Sequence, residues 1–239
     1  MVERWALVEP GTLTGPGEVV LEGEEARHLT AVLRCRAGEA VVLADGDGWV
    51  GSGTITAIGR GRVEIRLSSS QRRPRPEWGV SIALAVLHTQ AMDWAVQKAV
   101  EVGVVELIPV VTERSQLSLH VAGSRLARWR KIARQALKQC RRDWGMRVEE
   151  PVLLRDLSFR VAKEQRLVAD PCGTAVGWLE PLANPLLLIG PEGGLTAEER
   201  DSLAGAGWRG VSLGPYTLRA ETAVVVGATV LTACHGPRR

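Results

Sequence analysis

The sequence predicts a two-part α/β protein, a small β-rich domain followed by an α/β domain with a mainly parallel sheet. Three observations predict it. Short alternating runs broken by Gly and Asp fill the chain as far as residue 72, a polar stretch with two prolines interrupts them, and continuous apolar runs then alternate with helical patterns. The expected domains are therefore 1–72 and 73–239.

The β-rich part contains EVVLEG, AVVLADGDG, WVGSGTITAIG and GRVEIRLS, short strands at close turn spacing, as in a small barrel or sandwich. One helical interruption, EEARHLTAVLR, puts Ala26, Leu29, Val32 and Leu33 on one face. SQRRPRPEWG, with Pro74 and Pro76, suits neither a ladder nor a helix and marks the boundary. Beyond it, WGVSIALAVL, VVELIPVV, RLVAD, NPLLLIG and GVSLG read as strands covered on both faces.

Between them, QAMDWAVQKAVEVG gathers Met92, Val96, Ala99 and Val100 on one face and stops at Gly103. SRLARWRKIARQALKQCRRD carries an apolar stripe of Leu126, Trp129, Ala133, Ala136, Leu137 and Cys140. Its second stripe, Arg128, Lys131, Arg134, Lys138 and Arg142, meets no acid on the helix until Asp143, which fits either phosphate contact or a solvated face. AETAVVVGATVLTAC is apolar nearly all round, as for a helix central to its domain or covered by another subunit.

Composition narrows the function classes. Hydrophobic residues at 45% and charged residues at 24% argue against disorder, and no apolar run approaches the about 18 residues of a membrane span. MVERWALVEP has an early acid and no apolar core before a cleavage site, so it does not read as a signal peptide, and a cytoplasmic location is expected. The four cysteines form no CxxC pair and are expected as small buried hydrophobes, and the four histidines share no ligand spacing, so no metal is expected. The net charge of +3 is modest, but its arginines cluster between 60 and 75 and again between 125 and 147, which suggests a polyanionic partner or else solvated surface.

GDGWVG at 46–51 matches the dinucleotide pattern GxGxxG, but a strand-like run follows it rather than a helix, so it reads as a hairpin turn. No Walker lysine follows Gly190, and GxSxG is absent. What remains is IGPEGGLTAEE together with VSLGPYTLRAETA, each a strand, then Gly-Pro, then a loop opening onto a helix. Thr196 and Glu199 fit a capping box. Gly193 and Gly194 expose backbone to a ligand, and two such loops at strand C-termini make one crevice. The alternative is a pair of tight βα turns stiffened by proline.

These two loops resemble the C-terminal signatures of the SPOUT-superfamily methyltransferases, and more narrowly the family that methylates N3 of a uridine in 16S ribosomal RNA. HLTAVLRCRAGE, ADGDG, WAVQKAVEVGV, PVVTERS and WRKIARQALKQCRR are similar to further segments of that family, so the resemblance spans nearly the whole chain. It implies a PUA-like β-barrel that binds RNA, then an α/β trefoil-knot domain, a homodimer, S-adenosylmethionine as cofactor and 16S rRNA within the small ribosomal subunit as partner. The cofactor site it implies comprises Ala169, Asp170, Gly190, Pro191, Glu192, Gly193, Gly194, Leu213, Gly214, Leu218, Arg219, Ala220 and Thr222, with Leu213 and Leu218 flanking the adenine.

Arg219 and Glu221, in the pattern LRxET, are the implied catalytic pair, and Arg114 in TERS reaches the methionine end or the RNA. RNA contact falls to Arg34, Arg72, Arg73, His88, Arg114, Arg128, Lys131, Arg134 and Lys138. Where that family carries KGxKMEW, this chain has HTQAMDW, with His88 and Ala91 in place of two lysines. A methyltransferase acting on tRNA or a ribose 2′-hydroxyl, and a non-catalytic RNA-binding assembly factor, remain open readings.

Overall fold

The computed structural model describes residues 4–159 and 165–237. The chain divides into two compact units, Met1–Arg75 with Leu137–Gly145, and Pro76–Ala136 with Met146–Arg239.

In the first unit, β1 (Trp5–Leu7), β2 (Gly17–Glu22), β3 (Ala40–Ala44), β4 (Trp49–Gly59) and β5 (Arg62–Arg72) form a curled five-stranded sheet in the order β1-β3-β4-β5-β2. Only β1 and β3 run parallel; the other pairs are antiparallel. Period-two alternation decides which side is buried: Val63, Ile65 and Leu67 of β5 point into the core while Arg62 and Arg66 stay exposed. Val19, Leu21, Val41, Leu43 and Ile55 complete that core. The β3–β4 connection is the expected hairpin turn at GDGWVG. Asp45 Oδ1 accepts from Asp47 N at 2.7 Å and Trp49 N at 3.1 Å, which fixes the turn through a side chain.

One expectation fails here. Helix α1 (Gly23–Arg27) passes into a π-helical turn at His28–Val32, whose wider winding is sealed by Leu33 N donating to His28 O at 2.9 Å. Ala26 and Leu29 remain buried, but the extra residue per turn carries Val32 off the shared face, to 66% exposure.

The second unit holds a seven-stranded sheet made of β6 (Ser81–Ala85), β7 (Glu106–Val111), β8 (Arg147–Val148), β9 (Val152–Leu153), β10 (Arg166–Ala175), β11 (Leu186–Ile189) and β12 (Arg209–Ser212). Its order is β12-β10-β11-β6-β7-β8, with β9 also on β7, and its pairings are parallel. Leu186–Ile189 are buried throughout, as continuous apolar runs require. Helices α2 (Thr89–Glu101), α3 (Leu119–Cys140), α4 (Ala197–Gly205) and α5 (Ala220–His235) accompany it.

Met92, Val96, Ala99 and Val100 of α2 are buried as expected, and α2 packs on α5, which lies on β11 and β6. Helix α3 starts earlier than the periodicity from Ser124 suggested, because Ser118 O already accepts from Ala122 N at 2.9 Å. Strand β10 loses register with β12 between Ala169 and Thr174. Asp170 Oδ1 accepts from Cys172 N at 2.8 Å inside that irregularity, and a Cβ on Gly173 would lie 2.4 Å from the Gly210 carbonyl carbon. Of the cysteines only Cys35 is buried. Cys172, in this irregular stretch, and Cys234, in the last turn of α5, are exposed, so the expectation of buried cysteines is corrected.

Among the described residues no helix is long and apolar enough to cross a membrane.

Candidate active site

Strand β11 ends at Ile189 and the chain turns through Gly190–Leu195 before Thr196 caps α4. The expected capping box is present. Thr196 Oγ1 accepts from Glu199 N at 3.2 Å, and Glu199 Oε2 accepts from Thr196 N at 2.9 Å. The other carboxylate oxygen, Oε1, accepts from Glu113 N at 2.8 Å, so one side chain joins the start of α4 to the turn after β7. Arg114 in that turn donates from Nη1 to Gly193 O at 2.7 Å, and Gly194, at φ +69°, closes the bend with its N–H on Pro191 O at 2.8 Å. Arg114 therefore grips the loop backbone and shapes the wall of the site.

The second loop leaves β12 at Ser212, whose Oγ donates to Gly214 O at 3.0 Å, and ends where Arg219 caps α5. Both loops, the end of β10 and the first turns of α2 and α5 enclose one cleft of about 1380 Å³. It exceeds the roughly 300–1,000 Å³ usual for one small ligand, which leaves room for a second group. Ala169, Asp170, Gly190, Pro191, Glu192, Gly194, Leu213, Gly214, Leu218, Arg219, Ala220, Glu221 and Thr222 all line it. Gly193 is not among the lining residues; its carbonyl is turned to Arg114.

Of the residues expected to touch RNA, His88 lines the cleft and the others do not. Arg128 donates from Nε to Asp93 Oδ2 at 3.0 Å, and this bond raises its pKa. Lys138 Nζ pairs with Glu25 at 2.9 Å. Two members of the stripe that meet no acid along the helix thus find one in space, on α2 and α1, out of reach of any local pattern. Burial lowers the pKa of Arg142. Lys131 is exposed and Arg134 half-buried. In the first unit Arg72 pairs with Asp47 at 3.3 Å and lies 5.4 Å over the Trp144 ring, with Arg75 5.5 Å from the same ring. Arg73 is 3.9 Å from Asp143, and Arg34 is exposed with a left-handed φ of 52°.

A strand-loop-helix pair of this kind invites comparison with known proteins. Residues 74–232 match the family described as an RNA methyltransferase domain, and residues 21–68 the one described as an RNA methyltransferase PUA domain. The chain belongs to the RNA methyltransferase family. Its β-rich unit is the PUA-like part, and its α/β unit is of the SPOUT type.

A relative in Aquifex aeolicus named ribosomal RNA small subunit methyltransferase E is 34% identical over 59% of this chain and 62% of its own length. The Neisseria gonorrhoeae protein of that name, solved bound to S-adenosylmethionine, is 26% identical with a TM-score of 0.88, covering 98% of both chains. A Legionella pneumophila methyltransferase, solved with the same cofactor, is 27% identical with a TM-score of 0.90 and covers 100% of both.

This RNA methyltransferase also brings to the cleft residues that pattern reading passed over: Gln90 and Trp94 from α2, Tyr216 from the second loop, and Trp208 from the floor. Trp94 stands in the AMDW segment and Tyr216 is the chain's single tyrosine, which were the available signals. The bridging role of Glu199 had no signal, since Glu113 N is 86 residues away.

Proposed function

We propose that this RNA methyltransferase transfers the methyl group of S-adenosylmethionine to N3 of a uridine in 16S ribosomal RNA. It acts on the small ribosomal subunit in the cytoplasm, as a homodimer. One observation carries the reading: both Gly-Pro loops open into a single cleft that Arg219 and Glu221 also line. The rRNA methyltransferase name of the Aquifex and Neisseria relatives and the cofactor bound in the solved ones agree with it.

The lining chemistry fits the cofactor. Ile189, Leu195, Leu213 and Leu218 supply apolar surface for a purine, the backbone at Gly190 and Gly194 supplies polar groups without side chains, and Asp170 supplies a carboxylate for hydroxyl or ammonium donors. When bound there, the cofactor supplies an electrophilic methyl group on a sulfonium.

Uridine N3 carries a proton that must leave before its electron pair can react. Glu221 takes that proton as general base, and Arg219 stabilises the negative charge that spreads onto the uracil oxygens. The loops hold both partners in one orientation, which supplies much of the remaining acceleration. Val225, Val226 and Val230 of α5, half-buried in one chain, suit further cover by a second copy. The decisive experiment incubates the protein with unmodified small subunits and labelled cofactor, then maps the modified nucleoside by mass spectrometry. N3-methyluridine is expected; any other product overturns the assignment.

A further inference from the structure

Two aromatic rings in the cleft are unexplained by packing. Tyr216 is 80% exposed and Trp94 42%, yet both line the same cleft as Arg219 and Glu221. An exposed ring forgoes the burial that ordinarily justifies an aromatic residue. Tyr216 is moreover positioned by stiff neighbours. Pro215 precedes it, Gly214 O accepts from Ser212 Oγ at 3.0 Å, and α5 begins four residues later at Ala220. Lys98 Nζ lies 6.0 Å from the centre of the Trp94 ring and is itself paired with Glu101 at 2.8 Å, so the indole already has a cation as neighbour.

We infer that Tyr216 is the stacking platform for the unstacked target uracil, with Trp94 a second aromatic wall of the same subsite. This rests on the proposed function and deepens it. A base taken out of an RNA stack loses its neighbours' π-faces, and an enzyme that acts on N3 must leave that edge open while restoring the faces. A ring offers its face and leaves the base edge to Glu221 and Arg219. The phenol hydroxyl is not needed for this.

The test compares Tyr216→Ala, Tyr216→Phe and Trp94→Ala on unmodified small subunits, with cofactor affinity measured by calorimetry. Tyr216→Ala is expected to lower kcat/KM for the RNA by about ten- to a hundred-fold, the range base–aromatic stacking supplies, with cofactor affinity unchanged. Tyr216→Phe recovers most of the rate, and Trp94→Ala loses less than Tyr216→Ala. Unchanged kcat/KM in Tyr216→Ala overturns the inference, as does a matching fall in cofactor affinity, which would give the ring to the adenine.

Crosslinking reads the contact without turnover. Small-subunit RNA carrying 5-iodouridine is expected to crosslink under light to the peptide holding Tyr216, and crosslinks confined to other peptides refute the platform. Failure of the wild-type protein to make N3-methyluridine counts instead against the proposed function, while the crosslink still decides the stacking contact.

Discussion

The two loops that open into the cleft are built differently. The first, Gly190–Thr196, is fastened from outside: Arg114 holds its Gly193 carbonyl, and Glu199 ties its end to the turn after β7. The second, from Leu213 to Arg219, leads straight into the first turn of α5 and carries an exposed ring together with Arg219 and, just beyond, Glu221. A wall fixed by backbone contacts is suited to a constant ligand, while a segment bearing reactive and aromatic side chains is suited to the group being changed. The division predicts that damage to the first loop appears as lost cofactor affinity, and removal of the reactive or aromatic side chains Glu221 and Tyr216 as lost turnover.

The largest expected effect is on the second loop. Glu221→Gln should lower kcat by about 10²–10⁴-fold, as expected for removal of a general base, with cofactor affinity in calorimetry unchanged. Equal losses in both quantities would erase the distinction between the loops.

Next comes Arg114→Ala, which strips the charged donor from Gly193 O. A hydrogen bond to a charged group is worth about 1.5–3 kcal/mol, so cofactor affinity should fall roughly tenfold or more, with kcat largely kept at saturating cofactor. A variant defective in turnover alone would show that Arg114 serves the chemistry.

Glu199→Gln is milder, because one oxygen remains to accept where two did. A loss of about 1 kcal/mol in unfolding free energy, with a few-fold weaker cofactor binding, is expected. If stability falls and binding does not, the carboxylate caps α4 without shaping the cleft.

The smallest effect lies outside both loops and serves as their control. Burial, then the Lys138 ammonium, lowers the pKa of His28 from 6.5. A depressed histidine binds protons less readily folded than unfolded, so its contribution to stability is full above 6.5 and is lost as pH falls through the folded value. His28→Gln should slightly flatten the fall in denaturant midpoint between pH 7 and 5 while leaving cofactor binding untouched.

Much of this was legible in the chain. The apolar runs located the buried strands because a strand covered on both faces has no polar side to show, and Thr196 and Glu199 announced the start of α4 because a capping box is a local pattern. The unread features are nonlocal. The sheet order, with β10 between β11 and β12, follows from no periodicity. The partners of Arg128 and Lys138 lie on α2 and α1, 35 and 113 residues away, so two members of a stripe that looks unpaired along α3 are paired in space. Val32 leaves its predicted face because a π-helical turn changes the very spacing that assigns faces.

Gly173 bears on how far such a sequence can drift. Its neighbour across the irregular stretch of β10 is the main chain at Gly210 and Val211, and main chain, unlike a leucine tip, has no alternative rotamer to retreat into. In a library sampling every residue at 173, glycine alone should survive selection for folding. The exposed Cys172 beside it, under no such constraint, should accept most replacements.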